Sequence, residues 1–417
     1  MFFSMANNRI AKSGSINKLI RLKPRLHIHL FGFSISAFQF FGVLGYFMSL
    51  VLCLTIAYLN NLVPFVILLM GIVGAFTFFI LTYGSKIFTG KESIVYYHHE
   101  ITILLLCSVV LYLLKMPVLR YLDITLLGIG VFLSFGRMGC YSVGCCHGRP
   151  FKGGVKYGEQ HVQAGFTWYY NDVALFPIQL IESVYVAGIV TVGVFLLFNG
   201  AVPGTVLIFY TVVYGLLRYL LEFFRGDPER PIWQGLTEAQ WTTFALTATT
   251  LGLGFGGILP LYSWHLIEFV LMFIISVAVI ITYMRKGRFA IFTVPHIQQL
   301  ADALVSLEKL KGSLGSSTSD VTTYVTKMGL CISFGILPKN NNQFSHYTVS
   351  SVNSNKLNIL SARKLATVIG QLRKHSSSFD LIDNQNGIYH IILRNRNFKK
   401  GKTCILKERA GVTTGNK

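Results

Sequence analysis

Apolar residues run almost unbroken through eight stretches of this chain, roughly 34–58, 62–83, 98–114, 121–136, 177–198, 203–224, 240–258 and 264–284. A helix needs about 20 such residues to cross a ~30 Å hydrocarbon core. The pattern therefore predicts a mainly α, polytopic transmembrane helix bundle of about 7–8 spans. The first run is long and is not followed by a small-residue cleavage site, which marks it as a retained helix and not a removed signal peptide. Two connections, 140–176 and 225–239, are long and polar and contain Gly, Pro and Trp. Two helices separate them, so both are expected on the same face, where a site would lie.

Beyond 284 the pattern changes. RKGR (285–288) marks the exit into water, and KGSLGSSTSDVTT (311–323) reads as a flexible linker or exposed turn. Short β-like runs follow at 329–336, 346–352 and 388–394, around a helical segment from Ser361 to His375 that opens with a Ser cap. This predicts a small soluble α+β C-terminal domain. The expected organisation is a basic leader (1–33), a membrane domain (34–284) and a basic tail domain (285–417).

Composition agrees with the pattern. Mean hydropathy is +0.54 and charged residues make up 13% of the chain, against about 25% in a soluble protein. The net charge of +20 belongs to the flanks. Arg9, Lys12, Lys18, Arg21, Lys23 and Arg25 precede the first span without an acid, and residues 285–417 hold 20 Lys and Arg against 6 Asp and Glu. Residues 26–284 carry 11 of each sign. Basic flanks around a neutral membrane core suit an anionic cytoplasmic leaflet; no nucleic-acid motif is visible and no nucleic-acid partner is expected.

The seven cysteines (Cys53, Cys107, Cys140, Cys145, Cys146, Cys331, Cys404) are odd in number and follow no repeated spacing, which excludes a disulfide framework. Cys53 and Cys107 lie inside apolar runs as packing residues.

An ionised side chain at the centre of a membrane helix costs about 2.5–3.5 kcal/mol, so those retained there are candidates for function. Three groups stand out. In YGLLRYLLEFFRGDP (214–228), Tyr214, Arg218, Glu222 and Arg225 fall within about 80° on one helix face. A plain Arg218–Glu222 pair locking helices together is the structural alternative, but it leaves Tyr214 and Arg225 unexplained. In FPIQLIES (176–183), Gln179 and Glu182 lie one turn apart, after a Pro177 suited to a first helical turn. Interhelical hydrogen bonding is the alternative there.

The third group is GRMGCYSVGCCHGR (136–149). Its glycines, Gly148 among them, let backbone approach a headgroup closely and turn the chain, and the Arg137 fork suits a phosphodiester. Cys140, Cys145, Cys146 and His147 raise the alternative of a metal, although C-x4-C-C-H is not a familiar zinc spacing and adjacent ligands are awkward in one tetrahedron. A redox C-x-x-C is absent. In YYHHE (96–100), His98 or His99, with Glu100 nearby, is a candidate base near neutral pH; a surface histidine pair is the alternative.

In this order, the pieces resemble the prolipoprotein diacylglyceryl transferase family. Its G-R-x-G-N-F-x-N-G-E-x-x-G-R signature is similar to residues 136–149, its H-P-S-Q-L-Y-E to FPIQLIE (176–182), and its Y-G-x-x-R-x-x-x-E-F-x-R-x-P-D helix to 214–228. Weaker similarity covers FQFFGVLGYF (38–47) and reaches about residue 258. The resemblance implies transfer of a diacylglyceryl group from phosphatidylglycerol to the lipobox cysteine thiol in a prolipoprotein signal peptide, at the plasma (inner) membrane of a bacterium, without metal or organic cofactor. Arg137, Arg218 and Arg225 would hold the phosphate, with Glu222 fixing the arginines and His98 or His99 taking the thiol proton. Cys140, Gly148, Gln179, Glu182 and Tyr214 would line the substrate.

The chain departs from the family pattern at several positions. Cys140 stands for an Asn, Cys145 for a Glu, Phe176 for a His and Phe41 for a Tyr, and HHE replaces a His-Gly-Gly segment. Two rival readings stay open: a non-catalytic phospholipid-binding membrane protein, and a membrane thiol or metal protein using the Gly-Cys-Cys loop.

Overall fold

The structure is a computed structural model that describes residues 24–30, 32–90, 95–227, 231–286, 294–313, 322–339, 342–352, 357–373, 379–384 and 387–394. Most of the basic leader, Pro228, Arg288, most of the 311–323 segment, His375 and Cys404 lie outside the described residues. By contacts the chain forms two compact units, one running to Asp302 and including Thr326–Met328, the other comprising Ala303–Val325 and the residues from Gly329 onward.

The first unit opens with a hairpin, β1 (His27–Leu30) and β2 (Phe33–Ser36), and continues into helices α1 (Ala37–Leu59), α2 (Pro64–Thr89), α3 (Tyr96–Leu113) and α4 (Val118–Val143). The long connection that follows holds β3 (Pro150–Lys156), the short helix α5 (Glu159–Gln163), a 3-10 turn at Trp168–Tyr170 and β4 (Ala174–Leu175), which pairs antiparallel with β3. Helices α6 (Ile178–Phe198) and α7 (Thr205–Leu221) come next, and Glu222–Phe224 extends α7 as a 3-10 turn. The hairpin of β5 (Ile232–Trp233) and β6 (Leu236–Thr237) leads into α8 (Glu238–Phe255), followed by α9 (Ser263–Lys286) and α10 (Val294–Ser313), whose residues from Ala303 onward belong to the second unit.

Among the described residues seven helices, α1–α4, α6, α7 and α9, are long and apolar enough to cross a membrane. The eighth predicted run, 240–258, is the 18-residue α8, which carries Glu238, Gln240 and five threonines and falls short of that standard. Its threonines are not idle: Thr243, Thr247 and Thr250 are buried, and Thr247 and Thr250 donate to carbonyls of their own helix.

Burial separates central from peripheral spans. In α4 and α7, 50% and 56% of the membrane-length window lies inside the protein, against 17% in α9 and 22% in α1. Polar side chains can therefore be retained on α4 and α7, where protein and not lipid surrounds them. Close approach to α4 rests on small residues, as expected where apolar burial gives no drive between helices in lipid. A Cβ on Gly130 would come within 2.7 Å of Val190 and 2.8 Å of Tyr210, and one on Gly45 within 2.8 Å of Phe135.

Polar ties then set the register of these helices. Ser134 and Ser183 donate to each other's carbonyls at 3.0 and 2.8 Å, joining α4 to α6. At the other end of α4, the buried Asp123 accepts from the backbone N–H groups of Gly204 and Leu207, both at 2.7 Å. This satisfies donors that the start of α7 leaves without a partner in its own helix.

The second unit contains a five-stranded antiparallel sheet, ordered β10 (Phe379–Asp383), β11 (Tyr389–Arg394), β9 (Asn342–Ser351), β8 (Leu330–Lys339), β7 (Thr323–Val325). Helix α11 (Ile359–Leu372) buries Ala362, Leu365, Ala366 and Ile369. The three predicted β runs and the helix are all present. The cap differs from expectation: Asn358, not Ser361, is the N-cap, its side chain accepting from the Ser361 N–H at 2.8 Å. Asn and Ser cap comparably well, and the helix begins with the apolar Ile359 and Leu360.

Candidate functional site

The site grows from the C-terminal half of α4. Arg137 follows Ser134 by one turn, and Glu182 precedes Ser183, so the serine pair that joins α4 to α6 brings the two charges together. Arg137 Nε lies 2.9 Å from Glu182 Oε2, with both side chains buried. The other carboxylate oxygen, Oε1, accepts from the Tyr214 hydroxyl of α7 at 2.9 Å. One buried carboxylate thus ties α4, α6 and α7 at one level.

One turn further along α7, Arg218 pairs with Glu222 in the i, i+4 geometry. Arg225 reaches the same Glu222 oxygen at 3.8 Å and closes a bidentate pair with Asp227, both bonds at 2.9 Å. The bound around Glu222 is completed from α8. A two-residue turn, Gln234–Gly235, places both residues at positive φ (50° and 87°), as a tight hairpin requires. It delivers Thr237 to the start of α8, where a capping box with Gln240 fixes it. The Thr237 hydroxyl donates to Glu222 Oε2 at 3.2 Å.

Three arginines therefore face three carboxylates in a buried cluster, and the balance is close to neutral. A notable exception to full pairing is Arg218 Nε, which is buried without a hydrogen-bond acceptor. A buried N–H left without an acceptor carries the desolvation cost of the group, and an anionic ligand oxygen would remove it.

The two long polar connections do meet on one face. Arg149 N–H donates to the Phe224 carbonyl and Gly226 N–H to that of His147, both at 2.9 Å, and Arg149 Nε donates to the Arg225 carbonyl at 3.0 Å. Gly148 sits at the crossing. A Cβ there would lie 2.4 Å from the Phe176 carbonyl oxygen. The close approach at Gly148 is thus to protein backbone. Phe176, in place of the family's His, stacks on Phe224 with ring centroids 5.3 Å apart.

Gln179 donates to the Cys145 carbonyl at 2.7 Å and so holds the loop that leaves α4. That loop turns through Gly144 (φ 84°) and Cys146 (φ 54°), and the turn brings the sulfurs of Cys140, Cys145 and Cys146 within 4.8 Å of one another. Hydrogen bonds from the Cys140 and Cys145 thiols, with Arg225 and Arg137 nearby, pull the Cys146 thiol down from its ordinary pKa. Burial works against the Arg225 charge, but Cys146 and Asp227 outweigh it and hold its pKa above the usual value. His147 does not join the sulfurs. Its Nδ1 faces the Gly148 carbonyl at 3.0 Å, its ring packs edge-on against Phe166 and Tyr170, and burial depresses its pKa.

The two histidines of YYHHE lie in different surroundings. His99 is buried, with Nδ1 on the Val95 carbonyl at 2.9 Å and Nε2 on Thr82 at 3.3 Å, so both ring nitrogens are engaged. His98 is exposed and its Nε2 lies 3.0 Å from Glu238. Among the hydrogen bonds and ion pairs of the described residues, neither histidine touches a cluster arginine. His98 is nevertheless close in connectivity, because Glu238 adjoins Thr237, the donor to Glu222.

Several residues of the site escaped the sequence reading. Tyr97 packs edge-on against Tyr214 and shares a 2.7 Å hydrogen bond with Thr243 of α8, while Tyr96 and Tyr210 share one at 3.1 Å. Both tyrosines stand in YYHHE, directly before the histidines. Thr237 carried a signal too, the T-x-x-Q capping pattern, but its tie to Glu222 had none. Arg149 and Asp227 were visible only as parts of motifs.

Residues 18–255, more than half of the chain, match the family described as prolipoprotein diacylglyceryl transferase. The chain belongs to the prolipoprotein diacylglyceryl transferase family. It is similar to the phosphatidylglycerol–prolipoprotein diacylglyceryl transferase of Clostridium tetani (strain Massachusetts / E88), with 32% identity over 126 residues, 29% of this chain and 48% of that protein. It is also similar to phosphatidylglycerol–prolipoprotein diacylglyceryl transferase 2 of Clostridium perfringens (strain 13 / Type A), with 29% identity over 120 residues, 27% of this chain and 43% of that protein. The alignments span about half the length of these curated relatives. The family assignment bears out the resemblance read from the three motifs, and it places the arginine cluster, residues 137–225, inside the matched region.

Proposed function

We propose that this protein transfers a diacylglyceryl group from phosphatidylglycerol to the lipobox cysteine thiol of a prolipoprotein signal peptide, in the plasma (inner) membrane of a bacterium. The observation that carries this reading is the convergence of Arg137, Arg218 and Arg225 in a buried cluster in which Arg218 Nε lacks an acceptor. Guanidinium groups in that setting suit a phosphate and gain strength from low dielectric.

In the proposed reaction, the thiolate sulfur bonds to the diacylglyceryl carbon that carries the phosphate ester, forming a thioether. The carbon–oxygen bond breaks, and its electron pair leaves on glycerol phosphate. The arginines stabilise the charge that collects on the departing phosphate, while Glu182, Glu222, Tyr214 and Thr237 hold them in place. Cys140, Gly148 and Gln179 shape the loop beside them. His98 takes the thiol proton in this scheme. Its Nε2–H would donate to Glu238, leaving Nδ1 as the base, whereas His99 has both nitrogens engaged.

The test is a transfer assay with purified protein in detergent, phosphatidylglycerol and a lipobox peptide, followed by peptide mass. A gain of one diacylglyceryl unit that is lost in Arg137→Ala supports the proposal. No gain, in a preparation that binds phosphatidylglycerol, overturns it in favour of a lipid-binding protein without this chemistry.

A further inference from the structure

The three thiols of the signature loop are a feature that the diacylglyceryl transfer does not use as a set. Cys140 lies in the last turn of α4 and is buried, Cys146 is half-buried and Cys145 is exposed. Their sulfur atoms all lie within 4.8 Å of one another. A zinc–sulfur bond of about 2.3 Å implies sulfur–sulfur separations of about 3.8–4.0 Å around one ion, so a small side-chain adjustment closes the set. The awkwardness of adjacent ligands in one tetrahedron is met by the backbone. Cys146 adopts φ 54°, a left-handed conformation uncommon for a residue with a side chain, and the turn brings its sulfur to the other two. Gly144, also left-handed, caps α4 with its N–H on the Cys140 carbonyl at 2.9 Å and starts the same turn.

Two thiols would suffice for a disulfide; three converging sulfurs match the donor set of a soft cation. Thiolate donors select closed-shell thiophilic ions over Mg2+ or Ca2+.

We propose that Cys140, Cys145 and Cys146 form a three-thiolate binding site for one thiophilic d10 cation, Zn(II) or Cu(I), which staples the end of α4 to the loop that crosses Arg225. This inference is independent of the transfer reaction, since it rests on the sulfur geometry alone.

Full-length protein, purified in detergent and kept reduced, would be titrated with Cd(II) as the probe, reading sulfur-to-metal charge-transfer absorption. The expected result is saturation at one Cd(II) per chain with an intensity corresponding to three thiolates, unchanged in Cys331→Ser. Cys145→Ser replaces an exposed residue and leaves packing in place, checked by circular dichroism. It is expected to lower the band by about a third and weaken binding at least tenfold. The triple serine variant is expected to abolish the band. Displacement of Cd(II) by Zn(II) and by Cu(I), in separate buffered titrations, identifies which ion the site prefers. A reduced protein with no saturating band, or a band undiminished in Cys145→Ser, would overturn the proposal.

Discussion

Arg137 and Glu182 form a buried ion pair at 2.9 Å between α4 and α6, and the free oxygen of Glu182 takes the Tyr214 hydroxyl of α7. Three helices thus share one carboxylate, and the same arginine stands at the centre of the proposed phosphate clamp. A pair this dry contributes less than its Coulomb attraction suggests, because both charges lost water. Removing one partner is a different matter, since the other is left charged and buried.

Glu182→Gln is therefore expected to destabilise the protein by about 3–5 kcal/mol, read as a lower thermal midpoint in detergent. Arg137→Ala is expected to reduce transfer at least 10²–10³-fold. Arg137→Lys keeps the charge but loses the planar fork; its transfer rate should fall nearly as far while its thermal midpoint falls less. A lysine variant with full activity would argue against a geometric role for the guanidinium.

Thr237 has two duties, capping α8 and donating to Glu222. Thr237→Val should lose about 1 kcal/mol of stability from the cap and slow transfer by loosening Glu222 between Arg218 and Arg225. Thr237→Ser should recover both. Thermal melts and transfer rates on the same preparations separate the two duties, because a pure capping role predicts no loss of rate below the melting range.

His98 and Glu238 make an exposed pair at 3.0 Å. If His98 is the base, His98→Gln lowers transfer about 10²–10⁴-fold while phosphatidylglycerol binding is retained, and Glu238→Gln gives a smaller loss of the same kind. Equal rates for His98→Gln and the unaltered protein would move the base elsewhere.

Gly148 tolerates no side chain, because its Cβ would fall 2.4 Å from the Phe176 carbonyl oxygen. Backbone is on both sides of that contact and cannot yield as a flexible side chain would. Gly148→Ala is expected to separate the 147–149 segment from Phe176 and Gly226, with faster proteolysis of the 144–177 loop as the measurement.

His161 is buried outside the membrane spans, with Nε2 on the Ser142 carbonyl at 3.1 Å and its ring against Tyr157. Burial lowers its pKa, and the hydrogen bond to the carbonyl only partly offsets that. The unfolded chain therefore binds the proton more readily than the folded one, near its ordinary value of about 6.5. Stability from this group is present above that pH and is lost as pH falls towards the lower folded value. Melting curves between about pH 7.5 and 5.5 should show a drop that is shallower in His161→Gln.

The chain order carries much of this protein. Long apolar runs specify membrane helices because lipid offers the backbone no hydrogen-bond partner, and seven of the eight runs gave helices of spanning length and composition. The polar stripe Tyr214, Arg218, Glu222 and Arg225 was legible from the helical period alone, as was the pairing of Arg218 with Glu222. Period-2 runs located β8, β9 and β11, while the short edge strands β7 and β10, with only three and five residues, gave too weak an alternation to be seen.

What the tertiary structure decided is which charges meet across helices. Helical periodicity places Arg137 and Glu182 on faces, but only the packing of α4 against α6, with Ser134 and Ser183 in register, makes them partners. The same holds for Thr237 on Glu222 and Tyr97 against Tyr214, whose contacts come from a hairpin and a helix distant in sequence. The cysteines differ in kind, because their convergence depends on a left-handed backbone at Cys146 that residue type disfavours. Local sequence sets periods and propensities; contacts between segments are set by how close the surrounding side chains allow those segments to come.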